Sequence, residues 1–463
     1  NVFSLPNLFF TAIGTALSSV IIPDLTFYMN KASREERQRY IYSVFAQVTM
    51  LAALLSLVGI IFAPALARLL APGLAMDAQL ESVITMLTRI MMPTLLFVSL
   101  TYMAMGVLQV HGHFILSAAV SVPFNLLIIA TLLLSRDNIL LLGYMTTLGW
   151  LLQFIIQLPV LIKGGYRPFR SIDFKNRHTV SMFKQLLPIL MGNSLLQLSL
   201  IMDRSFATVL DPTGGAAAAI AFGSNLFVTI TSVFIVAMST VVFPRLSRYS
   251  LAQDHAGIRR MLSYAFRILL FILLPYLLLV GAYHQDIIAL LYERGAFSSH
   301  STALVSAAFF IYSFAVPGYV CQELFTRVFY SLKRFTIPMT ASLCCLGLNL
   351  LANELLCDSF GVTGLGLSTV GVLWLYAIIM GVLVYREVGG FIQRDLFSFA
   401  LRLLLPTAFL VLTMALAPVV IPSWGLLTFL LPMGVGGGLY VLIAIRMGLW
   451  RILLLKDDEP MAQ

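Results

Sequence analysis

The chain has 463 residues, of which 60% are hydrophobic and 11% are charged, and its formal net charge is +9. Soluble domains are about half apolar and about a quarter charged, so this composition excludes an ordinary soluble protein and indicates a polytopic membrane protein. The basic residues lie in short loops between apolar segments, a pattern typical of membrane topology and not of nucleic-acid binding.

Apolar segments near the roughly 20 residues that a spanning helix needs recur along the whole chain. No metal-hydrolase or phosphate-loop motif interrupts them. We predict thirteen spanning helices, at residues 3–22, 40–69, 83–108, 114–134, 139–162, 182–209, 216–243, 261–283, 302–331, 336–356, 361–384, 397–420 and 426–448.

The loops between these helices alternate in charge. One set of loops, with the C-terminal tail, holds 20 of the 29 Lys and Arg residues, whereas the opposite set holds only Arg68, Arg136 and Arg294. Because basic loops remain in the cytoplasm, this asymmetry predicts a cytoplasmic C-terminus.

An internal repeat relates the two halves of the chain. The segment VIIPDLTFYMN (20–30) aligns with VVFPRLSRYSL (241–251), and GVLQVHGHF (106–114) aligns with RVFYSLKRF (327–335), both at an offset of 221 residues. The matched loops lie on the same side of the membrane, so the repeat is parallel and each copy spans six helices.

Carrying the helix at 182–209 back by one repeat lands before residue 1. We therefore expect the natural protein to have fourteen helices, of which the first is missing here. The predicted fold is an all-α membrane protein with an N-lobe of helices 2–6 (1–163), a C-lobe of helices 7–12 (182–384) and a C-terminal helix pair (397–450).

Two charges, Asp203 and Arg204, lie inside one apolar segment. Arg204 is close enough to the helix end to extend to the membrane interface, whereas the shorter Asp203 side chain is not. An intramembrane carboxylate is a functional hypothesis, and the amides of Asn349 and Asn353 and the Thr369 hydroxyl are oxygen ligands suited to a small monovalent cation. The alternative is that the two Asn residues, one turn apart, only join helices by hydrogen bonds.

Local signals predict further details. The segment SREE (33–36) is a capping box that starts a short cytoplasmic helix. Pro93 and Pro317, near the middle of their helices, predict kinks. Arg89 and Arg327 are intrahelical cations, one in each repeat copy; Arg327 lies near the cytoplasmic end, where anchoring the helix is its alternative role.

The ordered series of short motifs in this chain resembles the MurJ family of lipid II flippases, in the MOP superfamily of exporters. The series covers nearly the whole chain and consists of LPNLF (5–9), LAPGL (70–74), TRIMMPTLLF (88–97), DRSFATVL (203–210), FPRLS (243–247), RGAF (294–297), RVFYSLKRFTIP (327–338) and GVTGLGLST (361–369). The resemblance implies two six-helix lobes around a central cavity, two further helices beside a lipid-tail groove, and lipid translocation without covalent chemistry.

The resemblance also implies functional residues. It assigns Asp203, Asn349, Asn353 and Thr369 to a sodium site, although the family often has a second carboxylate where Asn353 stands. Family arginines that face the cavity are missing from the first two helices, and Asn225 stands where the eighth helix would carry another. We therefore expect a head-group site that includes Asn225, with the cations Arg89 and Arg327 serving the diphosphate, since the planar arginine fork binds phosphate oxygens in pairs.

The implied cargo is lipid II or a related undecaprenyl-pyrophosphate glycolipid, and the implied protein is a monomer in the bacterial plasma membrane. Three alternatives stay open: export of another undecaprenyl-linked glycan, cation-coupled efflux of small amphiphiles, and a degenerate homologue that transports nothing. Efflux predicts carboxylates deep in the N-lobe, and the five N-lobe helices present have none.

Overall fold

A computed structural model describes residues 33–73, 77–135, 138–166, 187–391, 394–420 and 427–449. The predicted helix at 3–22 and the first repeat segment, 20–30, lie outside these residues. Within the described ranges the regular structure is helical throughout, so the all-α prediction is confirmed. Nine helices of this part are long and apolar enough to cross a membrane.

The helices follow the predicted apolar segments closely. Their bounds are α1 Arg34–Ile61, α2 Ala63–Leu70, α3 Ala78–Met91, α4 Thr94–Val110, α5 Phe114–Ala119, α6 Ser121–Leu134, α7 Ile139–Ile155, α8 Leu158–Lys163, α9 Leu195–Leu210, α10 Gly215–Ala237, α11 Phe243–Leu251, α12 His255–Tyr292, α13 Ser299–Ser313, α14 Ala315–Ser331, α15 Thr336–Val388, α16 Arg394–Val420 and α17 Leu427–Arg446, with a π-helix at Met238–Val242.

Prolines break the spans as predicted. Pro93 separates α3 from α4, and α13 gives way to α14 at Phe314, three residues before Pro317. Proline removes one backbone hydrogen bond and its ring clashes with the preceding turn, which accounts for both breaks. The two segments predicted at 336–356 and 361–384 form the two arms of α15, which bends at Gly361 (φ 58°, ψ −135°).

The capping box is present but starts a different helix from the one expected. Glu36 N donates to Ser33 Oγ (3.2 Å), and Ser33 N donates to Glu36 Oε2 (2.9 Å). The prediction of a short separate helix is wrong, because α1 continues from Arg34 through Ile61. No proline or glycine precedes Gly59 in this helix, so nothing interrupts it near the membrane surface.

Helix boundaries repeat at the offset that the sequence predicted. The N-caps Ser33 and Asp254 are 221 residues apart, and so are the breaks at Pro93 and Phe314. The turns that follow α4 and α14 match at the same offset, with His113 N donating to Leu108 O and Arg334 N to Phe329 O, both at 2.9 Å. The two copies therefore share backbone geometry at positions where their residue types differ.

The chain divides into two compact units. The first comprises residues 1–217 and 338–350, and the second comprises 218–337 and 351–463. One core of the first unit joins α2, α3 and the turn after each, through Ala67, Leu70, Leu87 and Met91. These units are defined by compactness and the predicted lobes by repeat symmetry, so the lobe boundaries stay a prediction.

The second unit has cores around α12. Val280 and Ile288 of α12 pack with Val305 and Phe309 of α13. Near the C-terminus, α16 and α17 pack tightly at Gly436, where an added Cβ would lie 2.4 Å from Thr413 Oγ1. The glycine-rich segment 434–438 thus permits close helix packing, one of the roles that its small residues allow.

Candidate functional site

In the first unit, Arg89 lies on a polar face of α3. Glu81, Thr85 and Arg89 follow one another at intervals of four residues, so their side chains share one face of the helix. With Ser82 and Tyr144 of α7 they line a cleft of about 610 Å³. Arg89 is exposed, and within the described residues it forms no ion pair. A permanent cation beside hydroxyl groups suits phosphate or sugar oxygens.

Arg327 is placed very differently, in the core of the second unit. Its side chain is 7% exposed and forms an ion pair with Glu323 (Nη2 to Oε2, 3.4 Å), itself 8% exposed. The guanidinium carbon lies 5.8 Å from the ring centroid of Phe243. Sequence reasoning missed Glu323, although the four-residue spacing of opposite charges was a readable signal. In this structure the charge of Arg327 is already neutralised.

Asn225 lies on an exposed face of α10, in the second unit. Its carbonyl oxygen accepts a hydrogen bond from Thr229 Oγ1 (2.8 Å). The opposite side of this helix packs closely at Gly223, where a Cβ would lie 2.8 Å from Phe309 N. The Asn225 side chain therefore points away from the packed face of α10, with an amide in place of a charge.

The two charges of α9 are buried in the first unit. Asp203 is 0% exposed and Arg204 is 8% exposed. The expectation that Arg204 extends to the interface is wrong, because both residues lie on the face of α9 that packing covers. A buried carboxylate needs compensating charge or hydrogen bonds, so this helix carries the strongest electrostatic demand in the unit.

The segment after α2 contacts the buried face of α9. Ser205 Oγ donates to Leu70 O (2.9 Å), and Gly73 N donates to Thr208 Oγ1 (3.2 Å). A Cβ at Gly73 would lie 1.6 Å from Thr208 O, so only glycine permits this approach. Backbone contact at this distance joins the two segments more tightly than side-chain packing does.

The neutral members of the predicted cation site are also fully buried. Asn349, in the first unit, is 0% exposed, as are Asn353 and Thr369 in the second. Within the second unit, the bend at Gly361 brings the two arms of α15 together, and Ser368 Oγ donates to Asn353 Oδ1. Sequence reasoning missed Ser368, the neighbour of Thr369.

The comparisons with known proteins agree with this architecture. Residues 1–435 match the family model described as lipid II flippase MurJ. A probable lipid II flippase MurJ of Buchnera aphidicola subsp. Schizaphis graminum is 25% identical over 434 residues, covering 92% of this chain and 84% of the relative. The lipid II flippase MurJ of Burkholderia cenocepacia is 27% identical over 378 residues, covering 79% and 72%.

Solved structures share the fold. A lipid II flippase MurJ in an inward closed conformation superposes with a TM-score of 0.77 at 21% identity, covering 98% of this chain and 92% of that one. An inward-facing multidrug transporter of the MATE family, in the MOP superfamily, superposes with a TM-score of 0.66 at 12% identity, covering 83% and 88%. The chain belongs to the MurJ family of lipid II flippases.

Proposed function

We propose that this chain carries lipid II from the inner to the outer leaflet of the bacterial inner membrane. The family match over residues 1–435 carries this proposal. A glycopeptide on a pyrophosphate cannot cross hydrocarbon, because its charges and polar groups would lose their hydrogen bonds to water. The protein supplies a polar path for the head group while the lipid tail stays in the bilayer, and it performs no covalent step.

Alternating access requires contacts that close one side to break while the other side closes. The hydrogen bonds from Ser205 to Leu70 O and from Gly73 N to Thr208 are candidates for such contacts, because two bonds are few enough to exchange. Their rupture would free α9 from the turn after α2.

Arg89 is the head-group cation that the structure favours. It is exposed in a cleft whose lining includes the hydroxyls of Ser82, Thr85 and Tyr144. Its guanidinium is therefore free to bind a diphosphate in bidentate fashion. Arg327 would first have to exchange its buried partner Glu323, which makes it a head-group ligand only in a different conformation.

Asn225 supports a second candidate cargo. An exposed amide at this position offers hydrogen bonds but no charge to a diphosphate. Another undecaprenyl-linked glycan that depends more on sugar contacts would suit it. Arg89 and Asn225 variants therefore discriminate between the cargoes, since a diphosphate depends on the cation and a glycan on the amide.

We further propose that Na⁺ is bound through the oxygens of Asp203, Asn349, Asn353 and Thr369. All four side chains are fully buried, and only the first is a carboxylate. One charge with neutral oxygens matches a monovalent cation. Na⁺ should raise the unfolding temperature relative to K⁺, since a ligand that binds the folded state stabilises it.

Three variants test the cation site. Asp203→Asn should abolish the Na⁺-dependent rise in unfolding temperature. Asn353→Asp should enlarge it by adding a second carboxylate, whereas Asn225→Asp, an exposed control, should leave it unchanged. Equal shifts in Na⁺ and K⁺ for the wild type would refute sodium binding and leave lipid translocation untouched.

Complementation of a flippase-depleted bacterium by the full-length gene tests the transport function, with lipid II in the outer leaflet as the readout. Wild type should rescue growth and restore outer-leaflet lipid II. Arg89→Ala should lose most of this activity, and Arg294→Ala, which removes an exposed arginine that bonds only its own helix end, should not. A folded wild-type protein that fails to rescue would overturn the lipid II assignment.

A further inference from the structure

An apolar groove of about 1000 Å³ lies in the first unit, away from the Arg89 cleft. Its walls include Val58 and Phe62 of α1, Leu95 of α4, Ile201 of α9 and Leu346 of α15. The Ser205 hydroxyl also lines it, but that group already bonds Leu70 O (2.9 Å) or Ile201 O (3.0 Å). The groove therefore offers an occupant hydrocarbon contacts and almost no hydrogen bonds.

The position of the groove in the membrane follows from α1 and α2. The groove residues lie at the end of α1 opposite its capped, basic start at Arg34, and they continue into α2 as far as Leu70. Several walls are open, among them Phe62 and Leu69, which are largely exposed. On a spanning segment such surfaces face lipid, where large apolar side chains are stable without a protein cover.

Arg68 stands at the rim of this groove. Its side chain is 71% exposed, and its Nε donates to Glu81 Oε1 at 2.7 Å. A guanidinium has five N–H donors, so four remain for another anion. An exposed arginine at the edge of an apolar groove in the membrane is complementary to a lipid that pairs an anionic phosphate with an alkyl chain.

We propose that the groove binds an anionic phospholipid of the leaflet opposite the basic loops, with an acyl chain against α1, α4, α9 and α15 and its phosphate on Arg68. The volume lies at the upper end of the roughly 300–1,000 Å³ of small-molecule pockets, enough for acyl chains but not for a bulky polar head group. Bound there, the lipid contacts Ser205 and Leu70, so it also covers the junction between α9 and the turn after α2.

Gly347 permits a direct test, because it lines the groove and an added Cβ would meet no atom within 4 Å. Gly347→Leu should fill the groove without disturbing the helices. Gly371→Leu is the matched control, since that glycine lies on the same helix, has equally open surroundings and does not line the groove. Elution as a single species and an unchanged unfolding temperature in detergent check that both variants fold.

Native mass spectrometry of the purified full chain should measure retention of phosphatidylglycerol and of phosphatidylcholine. Wild type should retain phosphatidylglycerol preferentially, and Gly347→Leu should weaken it by about tenfold or more. Arg68→Gln should weaken phosphatidylglycerol about tenfold and abolish the preference between the two lipids, because a charge-assisted bond is lost. Gly371→Leu and Arg294→Gln should match the wild type.

Glu81→Gln separates the charge of Arg68 from its ion pair. It frees the Nε donor, so phosphatidylglycerol binding should be kept or strengthened. A loss equal to that of Arg68→Gln, or wild-type retention in both Arg68→Gln and Gly347→Leu, would overturn the proposal. Tighter binding of undecaprenyl phosphate to the same residues, with displacement of phosphatidylglycerol, would also overturn it and assign the groove to a polyprenyl chain.

Discussion

At the scale of single residues, burial decides what a charge contributes. Glu323 and Arg327 share an ion pair in the core of the second unit, whereas Glu387 and Arg334 share one on its surface (2.6 Å, side chains 24% and 53% exposed). Loss of one buried partner leaves an uncompensated charge in a medium that solvates it poorly. Loss of one exposed partner leaves a charge in contact with solvent.

Glu323→Gln should therefore destabilise the protein by about 3–5 kcal/mol. The matched surface variant, Glu387→Gln, should cost less than about 1 kcal/mol. Thermal or denaturant unfolding in detergent measures both. Replacing both buried partners with Met should recover most of the loss; equal effects of the two single variants would contradict the argument.

Asp211 predicts a pH dependence outside the spanning segments. The Thr213 hydroxyl (2.5 Å) and the Ala216 backbone N–H (2.9 Å) donate to its carboxylate and hold the pKa below its ordinary value. The stabilisation is present above the unfolded pKa of about 3.9 and is lost as pH falls through the lower folded pKa. Unfolding temperatures between pH 6 and pH 3 should fall less steeply for Asp211→Asn than for wild type; identical profiles would argue against this carboxylate.

At the scale of secondary-structure elements, glycine determines how closely two segments approach. Gly73 allows the turn after α2 to reach the backbone of Thr208 in α9. Elsewhere, as at Gly281 on α12, a Cβ would meet nothing within 4 Å. The same residue type therefore has opposite effects on stability in the two places.

Gly73→Ala should separate α9 from the turn after α2 and cost about 1–3 kcal/mol, as overpacking does. Gly281→Ala should instead stabilise α12 by up to about 1 kcal/mol, because alanine has the higher helix propensity. Hydrogen exchange of the Gly73 amide, which is bonded to Thr208 Oγ1 in the structure, should accelerate in the first variant only. Unchanged protection would show that the turn relaxes without losing the contact.

At the scale of the whole molecule, the charge asymmetry of the loops predicts orientation. The basic loops and the C-terminus should be cytoplasmic, and the turn containing Arg294 should face outward. Reporter fusions test this: alkaline phosphatase should be active after Arg294 and inactive after Gln463, with the opposite result for a fluorescent protein. Reporter activity with the opposite pattern would invert the direction of transport proposed above.

The sequence by itself determined the all-α membrane fold, the course of the helices and the repeat of 221 residues. These features depend on local patterns: apolar length, proline breaks, caps and turns. The turn after α14 shows how strongly they act, since Lys333 adopts a positive φ of 57° where the first copy has Gly112 at 80°.

Only the tertiary structure decided which polar residues meet. Arg68 finds Glu81 across a turn, the bend at Gly361 brings Ser368 to Asn353, and Arg327 is buried against Phe243 although its sequence position suggested an exposed anchor. Such contacts depend on how helices distant in sequence pack, and hydropathy does not record which side of a helix faces a partner or lipid. The apolar groove beside Arg68 consequently has no counterpart in the motifs, since its residues come from segments nearly 300 positions apart, from Leu55 to Leu350.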